Sequence, residues 1–171
     1  MNDNAEADTL PTEEVPSAAR RGPISYAIFR LARAHRLVAG HLLREVGLHV
    51  GQELVMMELW EHGALRQVDL AQRVDCDAAT MTRSVKRLEQ AGFVRRIPST
   101  TDKRSVMVEP TVASIALRRQ VEAIWAELER SVAGDLTPAE LVQAQAVLNR
   151  LEQALSRHAA TSADPERSDT P

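Results

Sequence analysis

The stretch DAATMTRSVKRLEQAGFVRR, from Asp77 to Arg96, decides the fold of this chain. On a helical wheel Met81, Val85 and Leu88 share one side, which predicts a helix that packs this side inward. The opposite side and its flanks carry polar residues and cations, namely Thr82, Arg83, Lys86, Arg87 and Gln90.

The residues around this helix predict its start, its stop and its neighbour. Asp77 follows the tight turn DCD and is placed to cap the helix by accepting backbone N–H groups. Gly92 predicts the end of the helix, and Phe93 is expected to hold the exit against the core. Upstream, RQVDLAQRV (66–74) predicts a short helix. A short helix, a tight turn and a longer helix match a helix-turn-helix, whose second helix enters the major groove of DNA.

The residues that follow, FVRRIPSTTDKRSVMVEP (93–110), predict a β-hairpin. Val106 and Val108 alternate with residues that face outward, as in a half-buried strand. The polar loop STTDKR between the strands presents Lys103 and Arg104 at or near its tip. A hairpin directly after a recognition helix is a wing.

Two helices are predicted before the short helix of the helix-turn-helix. The first runs from Pro23 to near Gly47, and the second runs from about Gly51 to His62, before the stop signal Gly63. The stripe of the first helix recurs at steps of three and four: Ile24, Ile28, Leu31, His35, Val38 and Leu42. The core candidates of the second helix are Leu54, Val55, Met57, Leu59 and Trp60.

Two more helices are predicted after the hairpin. Thr137 and Glu140 are spaced as a capping box, with Pro138 at the first helical position of the last helix. The apolar stripes are Leu117, Val121, Ile124, Leu128 and Val132 on the fifth helix, and Leu141, Leu148, Leu151 and Leu155 on the sixth. These stripes and the N-terminal one exceed what a small winged domain can cover. Burying apolar surface gains about 25 cal/mol per Å², so we expect a two-fold homodimer.

Charge is unevenly spread along the 171 residues. The whole chain carries −3, residues 1–23 carry −3 and residues 159–171 carry −2, which leaves +2 for residues 24–158. Both ends are polar and without apolar periodicity, so we interpret them as disordered tails. Residues 83–104 hold seven cations against Glu89 and Asp102, a field that would attract a polyanion.

Composition excludes several classes of protein. No apolar run is long enough to span a bilayer, and no signal peptide is visible, so we expect a cytoplasmic protein without a membrane partner. A single cysteine excludes an internal disulfide. An enzyme would need a nucleophile–base pair, a phosphate loop or a metal triad, and no such motif is present, so we expect neither catalysis nor a cofactor.

Three motifs in this order resemble the MarR family of bacterial transcription regulators. They are DAATMTR (77–83), LEQAGFVRR (88–96) and DKR (102–104), each at the family's spacing. The flanking helices also fit, so the resemblance covers roughly residues 24–157. One departure is visible, because Thr111-Val-Ala is followed by Ser114 where the family usually has a glycine. Since the glycine allows close helix approach, we expect Ser114 to shift the fifth helix slightly.

The resemblance implies a mainly α fold with a small β-hairpin wing. Residues 24–47 would form an N-terminal dimerisation helix, residues 48–110 the winged helix-turn-helix, and residues 111–158 the C-terminal dimerisation helices. The tails would be residues 1–23 and 159–171. The resemblance implies a DNA-binding regulator that binds a pseudo-palindromic operator as a homodimer. Repression is the commoner mode in the family, so we expect a repressor.

Each candidate DNA contact has an expected role. Arg83 is the best candidate for reading a base edge, because its guanidinium can bind guanine bidentately. Arg104 is expected in the minor groove with Asp102 orienting it, as in the family's wing. The remaining candidates are Thr80 and Thr82 for phosphates or thymine methyls, Lys86 and Arg87 for phosphates, and Lys103 at the wing. Alternatively, Lys86 is a solvated surface cation and Arg87 pairs with a carboxylate.

Relatives that bind small aromatic acids between the winged domain and the dimer helices suggest an effector pocket. The candidates for lining it are Arg33, His35, Arg36, His41, Met57 and Trp60. The alternative for His35 is a hydrogen-bonded interface histidine.

Other sensing mechanisms have weaker support. Cys76 lies in the turn, away from the position of the reactive cysteine in peroxide-sensing relatives. His41, Glu45 and His49 make a weak metal site, so no metal is expected. The alternative to DNA binding is a winged-helix dimer that serves as a protein-interaction module.

Overall fold

The computed structural model describes residues 16–98 and 106–162. After a 3₁₀ turn at Ser17–Arg21, the helices are α1 (Pro23–Glu45), α2 (Gln52–His62), α3 (Gln67–Arg73), α4 (Ala78–Gln90), α5 (Ser114–Ala133) and α6 (Pro138–Ser162). The strands are β1 (Leu65–Arg66), β2 (Val94–Pro98) and β3 (Val106–Pro110). This mainly α fold with a hairpin is the one predicted, and the chain divides after Leu128 into two compact units.

The three strands form one antiparallel sheet in the order β1-β3-β2. β2 and β3 are the predicted hairpin, with Val94 opposite Pro110 and Ile97 opposite Met107. β1 was not predicted, because two residues are too few to show a periodicity. It pairs Leu65 with Val108 and ties the start of α3 to the sheet.

One hydrophobic core fills the first unit. It takes residues from α1 to α5 and from the sheet: Ala39, Leu43, Leu48, Val55, Met56, Leu59, Leu70, Ala71, Met81, Val85, Leu88, Val94, Val108, Leu117, Val121, Ile124 and Leu128. Thus four members of the predicted α5 stripe pack inside the chain itself. They are not available to a second copy, and Val132 at the end of the stripe is exposed.

The predicted core face of α2 was partly wrong. Val55 and Leu59 are buried, but Leu54 and Met57 are exposed and Met56 takes the inward position. Because α2 is apolar on most sides, its sequence does not distinguish the inward face. Similarly, Val106 of β3 is exposed, whereas Val108 is buried.

The ends of α4 and α6 have the predicted capping geometry. Gly92 has φ +79° after α4, and the N–H groups of Gly92 and Phe93 donate to the carbonyls of Glu89 and Leu88 at 3.0 and 2.9 Å. This is the Schellman motif, which favours glycine at the left-handed position.

The predicted capping box starts α6 in the second unit. Thr137 N donates to Glu140 Oε2 at 2.8 Å, and Glu140 N donates to Thr137 Oγ1 at 3.3 Å. The carboxylate and the hydroxyl thus accept from two backbone N–H groups that a free helix start would leave unpaired.

Candidate nucleic-acid interface

The start of α4 is fixed by a chain of side-chain hydrogen bonds. Asp77 caps the helix by accepting from Thr80 N at 2.8 Å and from Thr80 Oγ1 at 2.7 Å. Thr80 Oγ1 in turn accepts from a terminal nitrogen of Arg83 at 3.0 Å. The bonds from Thr80 lower the pKa of Asp77, and the charge of Arg83 adds to this. The carboxylate therefore orients Arg83 through the threonine hydroxyl.

The two helices of the helix-turn-helix are also joined by side chains. Gln67 Nε2 of α3 donates to Thr82 Oγ1 of α4 at 2.7 Å, and this hydroxyl donates to the carbonyl of Ala78 at 2.7 Å. Gln52, buried at the start of α2, donates to the carbonyl of Ser84 at 3.5 Å. The roles of Gln67 and Gln52 were not predicted, since a glutamine at a helix start gives no signal of its distant partner.

The two sides of α4 differ as the sequence predicted. Met81, Val85 and Leu88 are fully buried, whereas Arg83, Lys86 and Arg87 are exposed. No ion pair of Lys86 or Arg87 occurs within residues 16–98 and 106–162, so the alternative in which Arg87 pairs with a carboxylate gains no support there. The helix therefore presents three cations to solvent from a side that is fixed by the core.

The paired arginines after α4 have another role. Arg95 forms an ion pair with Glu109 across the hairpin, and Arg96 forms one with Glu89 at the end of α4. Both guanidiniums are thus neutralised inside the domain. Among the described residues of this region, the cations without an ion pair are therefore those of α4.

The wing residues Asp102, Lys103 and Arg104 lie outside the described residues. Their roles therefore stay predictions. β2 and β3 end at Pro98 and begin at Val106, so the hairpin pairing brackets the segment that carries them.

The candidate effector residues do not form one site. Met57 and Trp60 line a groove between α2 and α5, whereas Arg33 and Arg36 line an open depression on α1. His35 is exposed on α1, and His41 accepts from Arg44 through Nδ1 at 2.7 Å. Among the residues described, the six candidates thus divide between the groove, the depression on α1 and positions outside both.

Ser114, the departure from the family pattern, is fully buried at the start of α5. Its hydroxyl accepts from Trp60 Nε1 at 3.1 Å and donates to the carbonyl of Thr111 at 2.7 Å. Thr111 Oγ1 donates to the carbonyl of Gly92 at 2.7 Å. A series of hydrogen bonds therefore joins the wall of the α2/α5 groove to the residue that ends α4.

Cys76 lies half-buried in the turn between α3 and α4, where Asp75 has a left-handed φ of 50°. Burial raises the pKa of its thiol, and the carboxylates of Asp77 and Asp75 raise it further. These effects disfavour the thiolate, which is the reactive form. The environment therefore suits a small turn residue better than a redox sensor.

The described residues offer neither a metal-binding cluster nor a membrane-spanning helix. Within residues 16–98 and 106–162, no group of three or more His, Cys, Asp or Glu side chains is arranged to hold a metal ion. In those ranges no helix combines the length and apolar character needed to cross a bilayer.

Comparison with known proteins places the helix-turn-helix in a family. The model of the MarR family matches residues 48–106. The transcriptional regulator TtmR of Methylorubrum extorquens is 28% identical over 128 residues, which are 75% of this chain and 63% of TtmR. The chain spans about half the length of three further curated relatives. These relatives are named as regulators, not enzymes.

Solved structures agree on the fold. A mutant MarR from E. coli complexed with operator DNA has a TM-score of 0.73 at 20% identity and covers 80% of this chain and 99% of its own. BpsR of Bordetella bronchiseptica, whose DNA binding is regulated by 6-hydroxynicotinic acid, has a TM-score of 0.69 at 23% identity over 75% and 92% of the two chains. Residues 48–106 therefore match the MarR family, and the chain shares the fold of the solved MarR structure.

Proposed function

We propose that this chain binds double-stranded DNA as a homodimer and represses transcription from a pseudo-palindromic operator. The exposed cationic side of α4 carries the proposal, because the opposite side of the helix is locked into the core. Two such helices about one turn of DNA apart would read successive major grooves. Such a protein acts where the chromosome lies, so a cytoplasmic location is part of the proposal.

The contacts to DNA are divided among the cations. Arg83 reads a base edge, since its guanidinium is exposed and held by Thr80. Lys86 and Arg87 neutralise phosphates, which gives affinity without sequence preference. Because the hydroxyls of Thr80 and Thr82 are already bonded within the domain, these residues offer mainly their methyl groups to DNA.

The wing contacts rest on the family resemblance. Arg104 enters the minor groove with Asp102 orienting it, and Lys103 binds a phosphate nearby. The antiparallel pairing of β2 with β3 supports this proposal, because it holds both ends of the connecting segment together.

Dimerisation is supported by apolar side chains that the chain leaves uncovered. The first half of α1 exposes Ile24, Phe29 and Leu31, and only Ala39, Gly40 and Leu43 of this helix are buried. α6 has no buried residue and exposes Leu148 and Leu155. Covering these side chains with a second copy removes apolar surface from water at about 25 cal/mol per Å².

Release by a small aromatic ligand completes the proposal. BpsR, a protein of the same fold, is regulated by 6-hydroxynicotinic acid. The groove between α2 and α5 offers Met57 as an apolar contact and Trp60 as an aromatic contact. Its occupant would sit beside the hydrogen bonds that lead to the end of α4.

The test selects bound fragments from the source genome and measures their affinity at several salt concentrations. DNA binding predicts a steep fall in affinity with salt, since neutralised phosphates release counterions. A salt-insensitive or undetectable interaction, together with a stable protein partner, would instead favour the protein-interaction module. Sedimentation of the free protein then decides whether it is a dimer.

A further inference from the structure

The groove between α2 and α5 has a volume of about 500 Å³ and contains both tryptophans of the chain. Trp60 is half-buried, and Trp125 is 39% exposed. The exposed Met57 supplies aliphatic contact, and the buried Val121 lies in the lining behind it. Two indoles beside aliphatic side chains offer a flat apolar ligand both stacking and contact area.

The polar residues of this groove are mostly acidic. Glu58, Glu61 and Glu122 line it, and Arg118 is its one permanently charged cation among the residues described. Arg118 Nε already lies 3.1 Å from Glu122 Oε1. The guanidinium of Arg118 is therefore already paired, and an anion entering the groove would be repelled by the carboxylates.

The remaining carboxylates leave the groove negative. Glu58 is paired with Arg73 at 3.1 Å and lies 3.5 Å from His62 Nε2. Glu61 is exposed and has no ion pair within residues 16–98 and 106–162. Its charge stays uncompensated at the edge of a groove walled by indoles.

We propose that this groove binds an organic cation, such as a quaternary ammonium or protonated amine attached to an apolar or aromatic body. The face of an indole attracts a cation, and the uncompensated carboxylate adds to that attraction. The arginines expected to neutralise an aromatic acid, Arg33 and Arg36, line a different surface. This ligand class would be that of the effector in the proposed function. A regulatory role for the groove therefore rests on the proposed function.

Binding itself can be tested without DNA, because the intrinsic tryptophan fluorescence of the chain comes entirely from this groove. The full chain is titrated with benzyltrimethylammonium, with phenylacetate as the anionic probe and with benzyl alcohol as the neutral one. We expect saturable quenching by the ammonium and a dissociation constant at least about tenfold lower than that of phenylacetate. Equal or tighter binding of phenylacetate, or no saturable change, would overturn the proposal.

Two variants test the contacts by calorimetry. Trp125→Leu keeps an apolar side chain but removes the indole, and should weaken ammonium binding about three- to tenfold. Glu61→Gln should weaken it about two- to fivefold. Glu152→Gln, an exposed carboxylate on α6, is the matched control and should have no effect. Unchanged affinity in Trp125→Leu would contradict the assignment.

A second copy of the chain is the competing occupant. If dimerisation covers the groove, tryptophan emission will shift on dilution of the protein while the ammonium probe fails to bind, and the proposal falls. DNA affinity is measured on the same preparation without any probe. Failure of the cation site is thereby distinguished from failure of the proposed DNA binding.

Discussion

α4 and α6 are both helices with regularly spaced apolar residues, but they differ in what covers those residues. On α4, Met81, Val85 and Leu88 are fully buried within the chain. On α6, Leu148 is 49% and Leu155 63% exposed, and none of its 25 residues is buried. Regularly spaced apolar residues are therefore part of a complete core on α4, whereas on α6 they form an uncovered surface.

α1 combines the two situations in one helix. Its C-terminal part buries Ala39 and Leu43 in the core, whereas Ile24 and Phe29 near its start are exposed. The winged domain therefore covers its own apolar side chains and leaves the polar side of α4 exposed. The flanking helices, in contrast, leave apolar side chains exposed.

The largest effect is expected from charges on the uncovered side of α6. The double substitution Leu148→Glu and Leu155→Glu should dissociate the dimer, because it places carboxylates where apolar contact is needed. Loss of the second half-site contact should lower DNA affinity about a hundredfold. Sedimentation equilibrium and DNA titration measure the two effects.

Gln153→Glu provides the control for α6, since it adds a carboxylate at an exposed polar position of the same helix. It should leave both the dimer and DNA affinity unchanged. A double variant that remains dimeric would show that α6 is not part of the interface.

The next largest loss of DNA affinity is expected from a substitution on the polar side of α4. Arg83→Ala should cost about 1–3 kcal/mol of binding to the operator, or roughly 5- to 150-fold in affinity, because a bidentate base contact is lost. Binding to unrelated DNA should change much less. Arg150→Ala removes an exposed cation from α6 and serves as the charge-matched control. If both variants lose the same affinity, Arg83 reads no base.

A smaller effect is expected at Lys86. Lys86→Ala should weaken binding to all sequences alike and lower the slope of log affinity against log salt by about 0.9, the value for one phosphate contact. Fluorescence anisotropy across a salt series measures the slope. An unaltered slope would mean that Lys86 is a solvated surface cation.

The smallest effect concerns stability within the winged domain. Glu53 is buried at the start of α2 and accepts from Gly51 N at 2.7 Å, and burial raises the pKa of its carboxyl. A raised folded pKa favours the folded state at low pH, and this advantage is lost as pH rises through that pKa. Glu53→Gln keeps an acceptor without the charge.

We therefore expect Glu53→Gln to be more stable than the parent at pH 7, by on the order of 1 kcal/mol. The difference should shrink as pH falls toward the pKa of an unfolded glutamate. Urea unfolding at several pH values measures it, with the exposed Glu129→Gln as control. A difference that is independent of pH would assign the effect to something other than ionisation.

The features that the sequence predicted well depend on neighbours along the chain. Asp77, Gly92 and the Thr137–Glu140 box act within one helical turn, so their spacing is enough to predict their contacts. The buried side of α4 was also predicted, because its opposite side is clearly polar. Family motifs extended this local information to the residues that are proposed to contact DNA.

The features that were missed depend on distant partners. Packing decides that Met56 and not Met57 faces inward, since both lie in the continuous apolar run from Leu54 to Met57. The ion pairs of Arg95 and Arg96 join residues that only the folded hairpin and helix bring together. The same holds for the α5 stripe, which was expected at an interface and is buried in the core.

We expect the hydrogen bond between Trp60 and Ser114 to make substitutions at these two positions depend on each other. A glycine at position 114 would leave the half-buried indole N–H without its acceptor, at a cost of about 1–3 kcal/mol. Related sequences should therefore change the two positions together. Tryptophan at position 60 should occur with a hydroxyl residue at position 114, and glycine at position 114 should occur with a residue at position 60 that has no side-chain donor. Such paired inheritance would be visible in an alignment of its orthologues.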